Sequence, residues 1–314
     1  MNMMIEVQQL VKRYAPHSRD RPALDGIDLA VDRGQMHGLI GPDGAGKTTC
    51  IRILATALAP TAGTVRLAGY DVVRQAEQVR TRLGYMPQAF SLYPDLTVME
   101  NLHFFADING VPRAKQKGRI GELLEFAGLI DFTTRRSRDL SGGMQKKLAL
   151  ACALVHEPEI LLLDEPTTGV DPVSRRQLWQ LLAKVIQQGV TVLVSTPYMD
   201  EAERCNVVSI IDRGRVLTSG KPAGLEQQLP FRFVEVKAQP RKTLRQVVSE
   251  TEGVLGWRAV GDRVRLSVVN QAEMRDRIEA RLTQAGAQVS ILRDAPTEME
   301  DVFIHLVEQQ EKPA

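Results

Sequence analysis

The sequence predicts an α/β fold with a parallel sheet, interrupted by a helical insertion and followed by a small α+β module. Three observations support this prediction: short apolar runs alternate with helical patterns, the strand pattern disappears in the middle of the chain, and a different alternating pattern begins near its end. The expected organisation is an α/β domain over residues 1–225 with helices at about 90–145, an accessory α+β domain over 231–309 and a disordered tail over 310–314.

The overall composition is that of an ordinary globular chain. The 314 residues are 43% hydrophobic and 25% charged, and 40 basic against 38 acidic residues leave a net charge of +2, so no nucleic-acid partner is expected. The three cysteines form no CxxC pair, which favours a reducing, cytoplasmic compartment. No apolar run approaches the roughly 20 residues of a membrane span, so we expect any membrane role to depend on a partner.

The first elements are two strands and a helix. Apolar and polar residues alternate over Ile5–Tyr14, which predicts a half-buried strand, and Gln35–Ile40 is a short apolar run typical of a buried strand. A helix is expected from about Gly46 to Leu58. Further buried strands are predicted later in the chain, at Ile160–Leu163, Val190–Ser195 and Val207–Asp212.

The loop between the second strand and the first helix reads Gly41-Pro42-Asp43-Gly44-Ala45-Gly46-Lys47-Thr48-Thr49 and matches GxxxxGK[ST]. A strand before this pattern and a helix after it are the context that identifies a P-loop. Glycines let backbone N–H groups turn toward phosphates, and the helix start adds partial positive charge. We therefore expect residues 41–49 to bind ATP, with Lys47 at the β- and γ-phosphates and Thr48 on Mg²⁺.

The middle of the chain is predicted to be helical. Thr97 and Glu100 have the spacing of a capping box, and an apolar-rich helix is expected from there through Ile108. A second helix is expected around Ile120–Ala127. These helices form an insertion carried by the α/β core.

Two carboxylates follow the buried strand at Ile160–Leu163. Asp164 is expected to hold Mg²⁺, directly or through water, and Glu165 to act as the general base that polarises the attacking water. The plainer alternative is a strand that ends in a solvated turn. The P-loop elsewhere in the chain favours the catalytic interpretation.

A second helix start with exposed glycines lies at Leu140-Ser141-Gly142-Gly143. Ser141 can cap the helix that follows, and Gly142 and Gly143 leave backbone N–H groups accessible at its start. The pattern therefore predicts a second phosphate-binding helix end, against the alternative of an ordinary cap before a core helix.

A different pattern follows the break at residues 222–230. Strand-like alternation and helical spacing succeed one another in the order βαββαβ, which suggests a ferredoxin-like module. A last helix is expected to carry its apolar residues on one face: Met299, Val302, Phe303 and Leu306.

These motifs, in this order, resemble the ATP-binding domains of ABC transporters across roughly residues 4–222. The resemblance implies the P-loop NTPase fold with a helical subdomain. In that family the signature LSGGQ contacts the γ-phosphate of ATP held by the opposite subunit, so it also implies a dimer with a second copy or a paired paralogue. Here Met144 takes the fifth position, a variant common among exporters.

Further positions take their roles from the same resemblance. Tyr14 looks like the aromatic residue that stacks on adenine, although a core tyrosine is the alternative. Gln88 looks like the catalytic-site glutamine that senses Mg²⁺, and Asp171 like the aspartate at the dimer seam. Two positions depart from the family: Asp43 replaces an asparagine, and Pro197 replaces the switch histidine. We expect Pro197 to slow hydrolysis or to make it depend more on Glu165.

Three segments indicate the branch of the family by their amino-acid sequences, namely residues 84–102, 195–205 and 296–303. They resemble bacterial ABC-2 type exporters of the multidrug and daunorubicin-resistance kind. The resemblance implies an ABC-2 type permease as partner, a position on the inner face of the cell membrane, and a dimerising or regulatory role for the carboxyl-terminal module. The alternatives are a regulatory subunit with weak or no hydrolysis and a soluble ABC ATPase outside transport.

Overall fold

The computed structural model describes residues 3–14, 21–89 and 91–311, which divide into two compact units, one through Pro222 and one from Ala223. The predicted boundary at residue 225 falls inside a short helix, Pro222–Gln227. Across these described ranges, no helix combines the length and the apolar character that crossing a bilayer would require.

The first unit contains strands that form two sheets. In chain order they are β1 (Met3–Lys12), β2 (Leu24–Asp32), β3 (Met36–Ile40), β4 (Ala62–Leu67), β5 (Tyr70–Asp71), β6 (Leu83–Met86), β7 (Ile160–Asp164), β8 (Thr191–Thr196), β9 (Val207–Asp212) and β10 (Arg215–Gly220). Its helices are α1 (Lys47–Leu54), α2 (Ala76–Arg80), α3 (Val98–Ile108), α4 (Arg113–Ala127), α5 (Gly142–Leu154) and α6 (Pro172–Gln187). The short helix at the unit boundary is α7 (Pro222–Gln227).

The larger sheet has the order β10-β9-β3-β8-β7-β6, and all its pairs are parallel except β10 with β9. Every residue of β3, β7 and β8 is buried, as expected for strands covered on both faces. Since β8 lies between β3 and β7, the carboxyl ends of these strands lie side by side. The loop at residues 41–46, the segment after Thr196 and the pair Asp164–Glu165 therefore share one edge of the sheet.

The smaller sheet is antiparallel and has the order β2-β1-β4-β5. Helix α1 contributes Ile51 and Leu54 to a core that also contains Ile5 and Leu162, so this helix is held by both sheets. It ends at Leu54, earlier than predicted, because Thr56 has a positive φ of 58° that an α-helix cannot accommodate.

The helical insertion follows the prediction at its start. Thr97 Oγ1 accepts from the Glu100 N–H at 3.2 Å, and the Glu100 carboxylate accepts from the Thr97 N–H at 2.8 Å, which completes the capping box of α3. Helix α4 begins at Arg113, before the predicted Ile120. Its first turns carry no apolar stripe, so the hydrophobic pattern did not reveal them, and Pro112 stands at the N-cap.

The second unit contains β11 (Arg232–Gln239), α8 (Arg241–Ser249), β12 (Val254–Val260), β13 (Arg263–Val268), α9 (Gln271–Gln284), β14 (Gln288–Ala295) and α10 (Met299–Glu311). The antiparallel sheet has the order β12-β13-β11-β14, which together with the βαββαβ sequence is the arrangement of a ferredoxin-like unit. Helices α8 and α9 bury their apolar residues against one face of this sheet, including Leu244, Val248 and Ile278 against Val234 and Leu266.

Helix α10 contacts residues of the opposite face. Arg265 alternates with the buried Val264 and Leu266, and its Nη2 donates to Asp301 Oδ2 at 2.6 Å and to the carbonyl of Pro296. Arg258 donates to Asp301 Oδ1 at 2.7 Å. The helix includes residues 310 and 311, which the sequence assigned to a disordered tail, and residues 312–314 lie outside the described ranges.

Candidate functional site

The loop between β3 and α1 depends on glycine. Gly46 has a φ of 110°, and a Cβ there would lie 2.6 Å from the carbonyl oxygen of Ala23. A Cβ on Gly41 would lie 2.0 Å from the carbonyl oxygen of Ile211. No side chain caps the start of α1, so its first N–H groups and its partial positive charge remain available for an anion.

Lys47 lies at the centre of the site. Its side chain is 3% exposed, and Nζ donates to the carbonyl oxygens of Gly41 at 2.9 Å and Pro42 at 3.0 Å. Nζ also lies 3.3 Å from Glu165 Oε1. A buried ammonium group is thus fixed between the glycine-rich loop and one of the two carboxylates.

Asp164 accepts two hydroxyl hydrogen bonds at one oxygen. Thr48 Oγ1 donates to Oδ1 at 3.0 Å and Ser195 Oγ donates to the same atom at 2.7 Å. Burial raises the pKa of this carboxyl, and the two hydroxyl bonds oppose that effect. Among the described residues, buried Oδ2 has no hydrogen-bond partner. The hydroxyl and carboxylate oxygens therefore offer ligands of the type that a hard divalent cation prefers.

Glu165 is 4% exposed, and besides its ion pair with Lys47 its carboxylate accepts two side-chain hydrogen bonds. Gln88 Nε2 donates to Oε2 at 2.8 Å, and Thr168 Oγ1 donates to the same oxygen at 3.2 Å. The Glu165 N–H donates to the Ser195 carbonyl at 3.1 Å. The φ of Glu165 is 49°, an uncommon value outside glycine that tends to cluster at functional sites. Gln88 and Glu165, predicted from separate motifs, thus meet directly.

Tyr14 lies on the surface beside α1. It is 63% exposed, its hydroxyl lies 3.2 Å from Thr49 Oγ1, and Lys12 Nζ lies 5.5 Å from its ring centroid. This exposure excludes the alternative of a core tyrosine. Asp43 also points into solvent, with its side chain 90% exposed and Oδ1 3.9 Å from Lys47 Nζ. Its negative charge is therefore solvated and lies within ion-pair distance of the buried Lys47 ammonium group.

The second predicted helix start forms a separate cluster. Ser141 Oγ accepts from the Met144 N–H at 3.3 Å and caps α5, and Asp171 Oδ1 accepts from the N–H groups of Val173 and Ser174 at 3.0 Å and caps α6. The backbone hydrogen bond from Ser174 is the main cause that lowers the pKa of Asp171. Among the described residues, no hydrogen bond joins Ser141, Gly142, Gly143 or Asp171 to the first cluster. One chain therefore presents two groups of predicted phosphate-binding residues that are not in direct contact.

Sequence reasoning missed three residues of the site. Ser195 bonds Asp164, Thr168 bonds Glu165, and Lys146 Nζ donates to the Gln88 carbonyl at 3.3 Å. Burial lowers the pKa of Lys146. The parallel register pairs Asp164 with Ser195, and a comparison of the carboxyl ends of the predicted strands could have revealed that contact.

Pro197 directly follows β8, beside the edge that carries both carboxylates. It offers no side-chain donor and no backbone N–H. The neighbouring Tyr198 ring lies under the Arg175 guanidinium, at 4.3 Å from ring centroid to Cζ. The loop is thus well fixed although residue 197 donates nothing to a ligand.

The comparisons with known proteins agree with these motifs. A family model described as ABC transporter matches residues 24–168. The chain is 37% identical over 309 residues to the "Daunorubicin resistance ATP-binding protein DrrA3" of Streptomyces coeruleorubidus, which covers 96% of this chain and 95% of that protein. It is 40% identical over 307 residues to the "Probable multidrug ABC transporter ATP-binding protein YbhF" of Escherichia coli, which covers 97% of this chain and 52% of that protein.

The chain therefore spans about half the length of that second relative. Among solved structures, it is similar to a dimeric post-hydrolysis state of an ATP-binding cassette bound to ADP and Pi. The TM-score is 0.64 at 28% identity, over 69% of this chain and 98% of the other. The larger α/β unit thus has the fold of ATP-binding cassettes.

Proposed function

Because this chain belongs to the ABC transporter family, we propose that it is an ATP-binding and ATP-hydrolysing subunit that powers an ABC-2 type membrane exporter. The observation that carries this proposal is the contact of Lys47 and Thr48 with Glu165 and Asp164, respectively. A P-loop cation and hydroxyl lie directly against two carboxylates at the carboxyl ends of parallel strands, the arrangement that phosphoryl transfer from ATP requires.

Different residues of the first cluster, the one around Lys47, bind different parts of the nucleotide. Backbone N–H groups of residues 43–48 surround the phosphates, Lys47 neutralises the β- and γ-phosphates, and the exposed ring of Tyr14 stacks on the adenine. Thr48 and Asp164 would hold Mg²⁺, with Gln88 as a further oxygen ligand. When bound, the ion neutralises the negative charge of the phosphate oxygens.

Glu165 supplies the base. Its carboxylate orients a water molecule toward the γ-phosphorus and accepts the proton that this water loses as its oxygen bonds to phosphorus. The bond from the γ-phosphorus to the bridging oxygen breaks, and ADP and phosphate result. Gln88 and Thr168 position the base, since both donate to Glu165 Oε2.

The second cluster implies an assembly of two ATP-binding subunits. Among the described residues the helix start at Ser141–Gly143 makes no hydrogen bond to the P-loop cluster of its own chain, and its exposed end at Ser141 and Gly142 suits the γ-phosphate of ATP held by a second copy or a paired paralogue. Asp171 lies beside it and would reach the seam between the subunits. ATP then favours the closed dimer, and hydrolysis with phosphate release favours the open one.

The permease contact is proposed at the helical insertion. A cavity of about 280 Å³ next to the Gln88 loop is lined mostly by apolar and aromatic side chains, among them Tyr85, Leu92, Phe105 and Ile108, with polar residues such as Arg80 and Asn109 as well. Such a groove suits a short helix of an ABC-2 type permease, and the subunit would then lie on the inner face of the membrane. The names of the relatives favour export of drugs or other small hydrophobic compounds.

Pro197 favours a second candidate function, a regulatory subunit that binds ATP with weak or no hydrolysis. Loss of a single well-placed donor can cost about 10²–10³-fold in rate. The two candidates differ in a measurable way. A hydrolysing subunit releases phosphate in a manner that depends on Glu165, whereas a regulatory subunit binds ATP but releases little or no phosphate with or without that carboxylate.

The experiment measures phosphate release, ATP affinity and molar mass for the unaltered chain and its variants. Lys47→Ala should lose tight ATP binding, and Glu165→Gln should lower turnover by about 10²–10⁴-fold while trapping an ATP-bound dimer. Glu77→Gln is the matched control, since Glu77 is exposed and lies outside the site. Equal phosphate release by the unaltered chain and Glu165→Gln would refute hydrolysis, and a Glu165→Gln chain that stays monomeric with ATP would refute the dimer.

A further inference from the structure

A second buried carboxylate lies close to the site and takes no part in the chemistry described above. Glu201 is 1% exposed and belongs to a 3₁₀ turn, Met199–Arg204, that follows β8 and Pro197. Burial of an ionised carboxylate is costly unless donors satisfy its oxygens. The identity of those donors therefore shows what this residue holds together.

Three hydrogen-bond donors and one arginine, from three separate segments, surround Glu201. Its Oε2 accepts from Thr167 Oγ1 at 3.1 Å and from Thr196 Oγ1 at 2.6 Å. Its Oε1 accepts from Trp179 Nε1 at 3.1 Å and lies 3.6 Å from Arg175 Nε. Thr167 follows β7, Thr196 ends β8, and the other two residues belong to α6.

These segments carry the groups on which the proposed function depends. Thr167 lies between Glu165 and Asp171 in the connection from β7 to α6. Thr196 directly precedes Pro197, and its hydroxyl also accepts from the Tyr198 N–H at 3.1 Å. A single carboxylate oxygen, Oε2, therefore links the segment at residues 165–171 to the segment at residues 196–198.

We propose that Glu201 is a positioning residue that makes these two segments move as one body. A displacement at Asp171, which faces the second subunit, would then change the geometry at Glu165 and at residue 197 together. This rests on the proposed function for its consequence, the coupling of two ATP sites, whereas the mechanical link itself follows from the contacts of Glu201.

The alternative is that Glu201 only stabilises the fold. A buried charge adds little to the stability of the folded state, because well-packed apolar residues of similar volume stabilise it as well or better. Both donors to Oε2 come from the two segments that the proposal joins, and both are uncharged hydroxyl groups. Removal of one of them should therefore separate the segments without leaving an unpaired charge.

The first test is hydrogen exchange on the full chain without nucleotide. Thr167→Val removes one donor to Oε2 at nearly constant shape, and loss of a hydrogen bond to a charged group should speed exchange of the Tyr198 and Glu201 amides by about 10-fold. Trp179→Phe removes a donor from α6 and should affect these amides less. Exchange at residues 198–204 that is the same in Thr167→Val and in the unaltered chain would overturn the link.

The second test is the dependence of hydrolysis on ATP concentration. Glu201→Gln replaces one carboxylate oxygen by an amide N–H₂ that faces the hydrogen-bond donors around residue 201. We expect kcat to fall by about 10-fold or more, KM to change by less than about twofold, and the Hill coefficient to fall toward one. Glu203→Gln is the matched control, since it makes the same change in an exposed residue of the same turn. A folded Glu201→Gln chain with unchanged kcat and cooperativity would refute coupling, as would a loss expressed only in KM.

Thr167→Val carries the kinetic test if Glu201→Gln does not fold. An unaltered chain that binds ATP but releases no phosphate would refute the proposed hydrolysis. The exchange experiment would still decide the link, because it requires neither hydrolysis nor a second subunit.

Discussion

Replacement of Gly143 by alanine tests whether the start of α5 is held against the start of α6. A Cβ at Gly143 would lie 2.2 Å from Ser174 Oγ and 2.4 Å from Ser174 Cβ, so one helix must shift. Overpacking costs about 1–3 kcal/mol, and the upper part of that range applies here because two atoms of Ser174 lie under 2.5 Å from the added Cβ. The better helix propensity of alanine returns up to about 1 kcal/mol, which leaves a net cost of about 1–2 kcal/mol. At about 2–4 °C per kcal/mol for a unit of this size, we expect the melting temperature to fall by about 2–8 °C.

The assay is thermal unfolding followed by tryptophan fluorescence. The chain has two tryptophans, and a Trp257→Phe background leaves Trp179 as the reporter of the first unit. Gly142→Ala is the matched control, because the nearest atom to its added Cβ is 3.9 Å away. Ser174→Gly should relieve the clash, so Gly143→Ala should lower the melting temperature less in a Ser174→Gly background than in the unaltered chain. Equal melting temperatures for Gly142→Ala and Gly143→Ala, or an equal fall with and without Ser174→Gly, would refute the argument.

Three further predictions follow from contacts in the two units. Pro197→His should raise phosphate release per site by up to about 10²-fold, and an unchanged rate would contradict the role assigned to the missing donor. Asp301→Ala leaves the buried Arg265 short of its closest carboxylate and should destabilise the second unit by about 3–5 kcal/mol in denaturant unfolding, whereas Glu300→Ala, at a half-exposed ion pair, should cost less than about 1 kcal/mol. Burial raises the pKa of Cys50 and Cys205 to about 12, so thiol reagents at pH 8 should label them only on unfolding, and fast labelling of the folded chain would refute their burial.

The strands that the sequence predicts best are those buried on both faces. The run at Val207–Asp212 has the predicted bounds, and β3 and β7 each differ from prediction by one residue at one end, because each largely apolar run is bounded by polar residues or glycine. The small antiparallel sheet was largely missed. Strand β4 exposes four of its residues and pairs with β1, far away in the sequence, so neither apolar continuity nor local turn chemistry marks it.

The residues of the candidate site also differ in whether the sequence alone can identify them. Lys47, Asp164 and Glu165 can be found from the sequence because each directly follows the strand or loop that positions it. Ser195 lies in a strand without a motif, and its contact with Asp164 depends on strand order in the sheet. Thr168 follows Glu165 by three residues, and the local turn rather than a motif brings its hydroxyl to the carboxylate. Glu201 was invisible for another reason: a lone glutamate in a charged stretch reads as solvated, and only the fold shows that it is buried.

The two donors to Glu165 Oε2 differ in where they are anchored, and this difference yields a last prediction. Gln88 belongs to the loop that we assign to the permease contact, so it is expected to move during the transport cycle. Thr168 lies in the connection that Glu201 holds through Thr167, so it should keep the base oriented when Gln88 turns away. With no donor at residue 197, hydrolysis depends all the more on that orientation.

Thr168→Val removes the hydroxyl at nearly constant shape, and Thr168→Ser keeps it. A hydrogen bond to a charged group is worth about 1.5–3 kcal/mol, so the valine variant should lose about 10–100-fold in kcat at saturating ATP while the serine variant stays near the unaltered rate. ATP affinity should be the same in both, because Thr168 contacts the base and not the P-loop. If valine and serine variants release phosphate at the same rate, the hydroxyl does not hold Glu165, and Gln88 alone must orient the base.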